Sequence, residues 1–142
     1  MILLGVIGVA LSPSSRVAAA SGIKWYPYEE GMVRSKADSK KIFLNFFAEW
    51  CAYCRKMEAE TFKDRSVVDY LNRNFIAIQV NSDKEGKLAA TYDVKGLPTS
   101  WFIDQDGVVR FVFSGPMTSD ALQGILADVE AGREPDPFAG VG

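Results

Sequence analysis

Two cysteines stand three residues apart in Trp50-Cys51-Ala52-Tyr53-Cys54, and no other cysteine occurs among the 142 residues. The thiolate is the form of cysteine that attacks a disulfide or binds a soft metal, and it forms readily where positive charge or unpaired N–H groups face the sulfur. With this spacing near alternating strands and helices, the pair reads as a redox couple that cycles between dithiol and disulfide. Two other uses stay open. A structural bridge is one, although closing so short a loop removes little chain entropy. Half of a zinc site is the other, although zinc ordinarily takes four ligands and the chain has no histidine. Neither a metal site nor a cofactor is expected.

The elements around the pair decide what the sulfurs can do. Residues 41–47 read as a buried strand. Those following, up to Phe62, read as a helix with Cys54, Met57, Glu58 and Phe62 on roughly one face by three-and-four spacing. Both sulfurs then fall in the first turn of that helix. There the backbone N–H groups lack intrahelical partners and the macrodipole favours negative charge.

Further along, residues 23–26 predict a short edge strand, and Pro27 can open a helix running towards Ala37. Asp64 is a credible N-cap for a helix with Val67, Val68 and Leu71 inward. Residues 75–80 form a second buried strand, 84–92 a helix, and 99–103 a third strand after Gly96-Leu97-Pro98. Asp104 to Gly107 reads as a hairpin turn into a strand over 108–113 rather than as a calcium loop, whose remaining ligands are absent. Thr118 or Ser119 caps a last helix with Leu122, Ile125, Leu126 and Val129 as its apolar stripe. The β-α-β portion wants parallel strands and the hairpin adds antiparallel ones. The expectation is an α/β fold, a central mixed sheet with helices on both faces.

Composition sets outer bounds. Apolar residues make up 48% and aromatic residues 12%, enough for a packed core without cysteine staples. The net charge is −2 and no basic patch stands out, so nucleic acid is not an expected partner. Residues 1–11 are an uninterrupted run of apolar residues and glycine, too short to span a bilayer but suited to a signal-peptide core. Ala18 and Ala20 supply small residues for cleavage, while no Lys or Arg precedes the run. The reading is a signal peptide over 1–20 with a truncated start, an uncleaved anchor being the alternative. A folded domain is expected over 21–130 and a flexible tail over 131–142.

Ala48 to Cys54, then Gly96-Leu97-Pro98-Thr99 ahead of a strand and hairpin, resemble the thioredoxin superfamily over roughly residues 24–129. Phe47 to Cys51, the Gly-Leu-Pro-Thr run and Glu58 carry a closer likeness. They are similar to the C-terminal periplasmic domain of the thiol–disulfide interchange reductase DsbD and to exported thioredoxins like it. The resemblance implies a thioredoxin fold with Cys51 as the exposed attacking thiol and Cys54 as the buried resolving thiol. Pro98 would follow a cis peptide bond and lie against the cysteines, leaving the Leu97 backbone to pair with an extended substrate. Trp50 and Tyr53 would shield the sulfurs and offer partners an apolar surface. Glu58, one turn beyond Cys54, is either a proton carrier for Cys54 or an ordinary solvated glutamate. One position departs from the family: a buried aspartate usually sits six residues before the first cysteine, and here that residue is Asn45, which cannot take a proton at neutral pH.

The combined expectation is an exported, periplasmic thiol–disulfide oxidoreductase, a monomer acting mainly as a protein-disulfide reductase. Cys51 attacks a partner disulfide, a mixed disulfide forms, and Cys54 resolves it. Strong oxidants of this fold often carry a histidine between the cysteines, whereas here Ala52 and Tyr53 lie there. Disulfide-containing proteins would be the substrates, with electrons from a membrane donor or another thioredoxin. The alternatives are a disulfide oxidase or isomerase, or a non-enzymatic module. Such a module would bind Cu(I) through two thiolates or hold clients on Trp50, Tyr53 and Leu97.

Overall fold

The computed structural model describes residues 22–136. In chain order the elements are β1 (Trp25–Tyr26), α1 (Tyr28–Asp38), β2 (Lys41–Phe47), α2 (Ala52–Ala59), a 3-10 turn (Thr61–Lys63), α3 (Arg65–Asn74), β3 (Phe75–Asn81), α4 (Gly86–Thr91), β4 (Thr99–Ile103), β5 (Val109–Ser114) and α5 (Ser119–Glu130). The expected signal peptide over 1–20 and the end of the expected tail lie outside the described residues. Of the tail's first residues, Arg133 folds back, its backbone N–H donating to Asp128 O at 2.8 Å.

The strands lie in the order β1-β3-β2-β4-β5. β2 pairs parallel with β3 and antiparallel with β4, and β5 returns antiparallel on β4. Two helices and a 3-10 turn separate β2 from β3, which is the length of crossover a parallel pair needs, whereas a tight turn suffices between β4 and β5. The expected mixed sheet with helices on both faces is what forms.

Period-two alternation along β2 divides its side chains between two cores. Ile42, Leu44 and Phe46 join the core beneath α1 and α4. Phe43 joins the opposite core with Met57 of α2, Leu71 of α3 and Leu122 of α5. Phe43, Leu44 and Phe46 are wholly buried, and full burial of such a side chain is worth about 1.5–3 kcal/mol. β2 is therefore held from both sides, and its C-terminal end gives the cysteines a fixed base. Gly31 permits the close approach of α1, since a Cβ there would collide with the Ile78 side chain.

Several boundaries differ from the sequence expectation, the strand expected over 23–26 being only Trp25–Tyr26, and three of the differences have a visible cause. The active-site helix stops at Ala59 instead of reaching Phe62. Thr61 turns inward to donate its hydroxyl to Met117 O at 2.6 Å, and the chain tightens into the 3-10 turn. The helix expected over 84–92 spans only Gly86–Thr91, because Asn81 Oδ1 takes the N–H groups of Asp83 and Lys84 and holds them in a turn. β5 begins at Val109 because Val108 belongs to the hairpin turn, its N–H bonded to Asp104 Oδ1 at 3.0 Å. The Asp64 cap forms as expected, accepting from Ser66 N at 2.9 Å and Val67 N at 3.3 Å. So does the Thr118 cap, which accepts from Ala121 N at 3.2 Å.

Candidate active site

β2 delivers the chain to Ala48, whose carbonyl accepts the Cys51 N–H at 3.2 Å and closes the turn into α2. Cys51 is the N-cap of α2, in extended conformation, and Cys54 lies in its first turn. The Cys54 N–H donates to Cys51 Sγ at 3.1 Å. Sulfur thus occupies the place where a serine or aspartate oxygen caps other helices. The two cysteines form a disulfide, with Cα atoms 5.2 Å apart.

Cys51 is not the exposed member of the pair. It is 4% exposed and Cys54 7%, because Phe47, Ala48 and Leu97 pack around both. In the oxidised state exposure does not separate the two, and the asymmetry lies instead in the N–H aimed at Cys51. The aromatic neighbours are in the open: Trp50 is 67% and Tyr53 62% exposed. Trp50 is nonetheless anchored, its indole Nε1 donating to Asp83 Oδ2 at 2.9 Å.

The Leu97–Pro98 peptide bond is cis. Thr99 Oγ1 closes this loop by donating to Gly96 O at 2.6 Å, and Pro98 O accepts from Gly115 N at 2.8 Å. Pro98 is buried and lines a pocket with Cys54, Asn45, Glu58 and Gln79. The pocket holds about 330 Å³ and opens to solvent beneath the disulfide.

Asn45 points into the face covered by α2 and is 1% exposed. Its Nδ2 donates to Ser100 Oγ at 3.2 Å, which offsets part of the cost of burying the amide. Glu58 is exposed, one turn beyond Cys54, and its Oε2 accepts from Gln79 Nε2 at 3.4 Å. The structure therefore gathers Cys51, Cys54, Trp50, Leu97, Pro98, Asn45 and Glu58 around one corner of the molecule. Tyr53 instead lines an adjoining groove between α2 and the start of α5.

Gln79, Ser100 and Asp83 were not among the sequence candidates. Gln79 is the single polar side chain within the apolar run 75–80, which was a usable signal. Ser100 and Asp83 carried none, since each reaches the site through strand pairing or a loop bend.

Chemically, the oxidised pair can accept two electrons and the reduced pair can donate them. A negative charge on Cys51 would meet the Cys54 N–H and the start of α2, both favourable to it.

Among curated proteins, the chain is 31% identical over 111 residues to the thiol-disulfide oxidoreductase ResA of Bacillus thuringiensis, covering 63% of this chain and 64% of the relative. It is 35% identical over 75 residues to the thiol:disulfide interchange protein DsbD of Actinobacillus pleuropneumoniae, covering 50% of this chain and 13% of that protein. The chain thus spans less than two thirds of the length of these relatives. Among solved structures, DsbH oxidoreductase superimposes with a TM-score of 0.68 at 25% identity, over 89% of this chain and 96% of that one. A thioredoxin from Thermus thermophilus does so with a TM-score of 0.69 at 26% identity, over 76% and 87%. The fold is the thioredoxin fold. The thioredoxin-like domain family matches residues 28–130, and the chain belongs to that family.

Proposed function

We propose that the chain is an exported thiol–disulfide oxidoreductase acting mainly as a protein-disulfide reductase through Cys51 and Cys54. The observation that carries this reading is the Cys54 N–H directed at Cys51 Sγ, at the N-cap of a helix. A donor in that position favours the Cys51 thiolate as the attacking group. In the forward step Cys51 thiolate attacks one sulfur of a partner disulfide, forming the mixed disulfide and releasing the partner's other sulfur as thiolate. Cys54 then loses its proton and attacks Cys51 Sγ, closing the Cys51–Cys54 bond and releasing the second partner sulfur. The partner gains two electrons and two protons, and the pair loses them.

Trp50 and Tyr53 offer an exposed apolar surface to the partner, while Leu97 and Pro98 flank the sulfurs at which the partner strand docks. Glu58 takes the Cys54 proton by way of pocket water, since Asn45 cannot. Ala52 and Tyr53 between the cysteines add no cation to hold the thiolate, which favours the reducing direction over an oxidase or isomerase. Export rests on residues 1–20, and a periplasmic setting with a membrane or thioredoxin-type electron donor follows from it. The working unit is a monomer.

Insulin reduction with dithiothreitol as the electron source tests the activity. The wild-type chain is expected to accelerate insulin precipitation and Cys51→Ser to abolish that acceleration. Cys54→Ser is expected to accumulate mixed disulfides, because attack survives without resolution. If iodoacetamide labels Cys54 before Cys51 in the reduced protein, the assignment of roles is wrong.

A further inference from the structure

Strand pairing lines up three polar side chains beneath the disulfide. Asn45 of β2 sits opposite Gln79 of β3 and opposite Ser100 of β4, so Gln79, Asn45 and Ser100 form one row across the sheet. Residues directly opposite in a sheet share a face, and this face is the one α2 covers. The row is polar where its neighbours one pleat away, Phe43, Ala77 and Phe102, are apolar.

The members of the row have different work. Asn45 and Ser100 are 1% and 0% exposed and are hydrogen-bonded to each other. Gln79 is half-buried and turns its amide outward to Glu58. An exposed glutamate on a helix otherwise samples its rotamers in water, and positioning it for proton transfer requires a partner. Gln79 is the residue that donates a hydrogen bond to it. The 3.4 Å separation is long, as such contacts commonly are before the working complex forms.

We propose that Gln79 is a positioning residue, whose amide holds the Glu58 carboxylate over the pocket that Cys54 lines. This rests on the proposed role of Glu58. During resolution the Cys54 S–H proton passes through pocket water to the Glu58 carboxylate. The Cys54 electron pair forms the bond to Cys51 Sγ, and the partner sulfur leaves as thiolate and takes up a proton from solvent. Gln79 neither gains nor loses a proton. The other charged groups lining the pocket are Glu49 and Arg55. Arg55 is tied by its Nη1 to the Glu49 carbonyl at 2.9 Å, on the α2 side. Glu49 carries a distant ion pair to Lys84 at 4.0 Å.

The test uses the full chain, reduced and mixed with a stoichiometric amount of the aromatic disulfide DTNB. The first coloured thiolate released reports attack by Cys51, and the second reports resolution by Cys54. Glu58→Gln is expected to slow the second release about a hundredfold, and Gln79→Leu about tenfold, a partial loss of the same effect. Both variants should make that second release rise more steeply with pH, because Cys54 must then give up its proton to solvent or hydroxide. The double variant should be no slower than Glu58→Gln alone, because Gln79 acts only through Glu58. Slowing that adds to that of Glu58→Gln would mean that Gln79→Leu merely loosens the sheet, and would overturn the proposal. An unchanged second release in Gln79→Leu, with Glu58→Gln slow, would overturn it while leaving the Glu58 role standing. An unchanged second release in Glu58→Gln would remove the Glu58 role itself and the proposal with it.

Discussion

Cys51 differs from Cys54 chiefly in receiving a backbone N–H, and the side chains around the pair decide how its charge is tolerated. The buried amide of Asn45 contributes no charge beneath the sulfurs. An aspartate there would place a carboxylate on the pocket wall that Cys54 shares, and like charges disfavour one another. Asn45→Asp is therefore expected to move the midpoint of pH-dependent Cys51 alkylation upward. The same substitution should weaken the dependence of resolution on Glu58, since a second proton acceptor is then present. An alkylation midpoint unchanged from wild type would show that position 45 is electrically remote from the sulfurs. At this scale the pair Cys51 and Cys54 was legible from its spacing and Glu58 from its place one helical turn beyond Cys54, whereas Asn45 stood out only through the resemblance to the thioredoxin superfamily. Gln79 showed only as a polar break in the apolar run 75–80, and Ser100 not at all, because their meeting with Asn45 depends on strand register, which a linear sequence does not display.

The elements were legible wherever side-chain periodicity or a cap dictated them, as in β2, in α3 behind Asp64 and in α5 behind Thr118. Their ends were misread where a side chain found a backbone partner: the Thr61 hydroxyl, bonded to the distant Met117 carbonyl, shortens α2, and the Asn81 side chain, holding the nearby Asp83 and Lys84 N–H groups, delays α4. The hairpin between β4 and β5 was recognised as a turn, but its anchor was not. Asp104 is 4% exposed and accepts from Asp106 N at 2.9 Å and Val108 N at 3.0 Å. It also takes the Arg110 guanidinium, Nε to Oδ2 at 2.7 Å. Burial acts to raise its carboxyl, but the Val108 N–H, the Arg110 guanidinium and the Asp106 N–H outweigh it and hold it below the usual aspartate range. A carboxyl lowered by folding contributes stability that is complete above its unfolded value and is lost as pH falls through the folded one. Asp104→Ala should cost about 1–3 kcal/mol at neutral pH by leaving those donors unpaired. Thermal unfolding followed from neutral pH into acid should show the gap between wild type and variant closing below the ordinary aspartate value of 3.8. A gap that persists unchanged in acid would show that the Asp104 charge contributes nothing.

At the scale of the whole molecule, the alternating strands and helices, the glycine–leucine–proline loop and the hairpin together specified a mixed sheet covered on both faces. The division of β2 between two cores is what fixes the pair at its end, and the row Gln79–Asn45–Ser100 is a property of the assembled sheet rather than of any one strand. Among the described residues no helix is long and apolar enough to cross a membrane, and the segment that suggests export, 1–20, lies outside them. The direction of exchange belongs to the complete protein, because it measures the stability of one redox state of the fold against the other. The equilibrium reduction potential of Cys51–Cys54, measured on the full chain in thiol–disulfide buffers, tests the reductase assignment most directly. A value nearer the thioredoxin figure of about −270 mV than the strong oxidant's about −120 mV is the predicted result. A value above about −180 mV, the figure for protein disulfide isomerase, would contradict it.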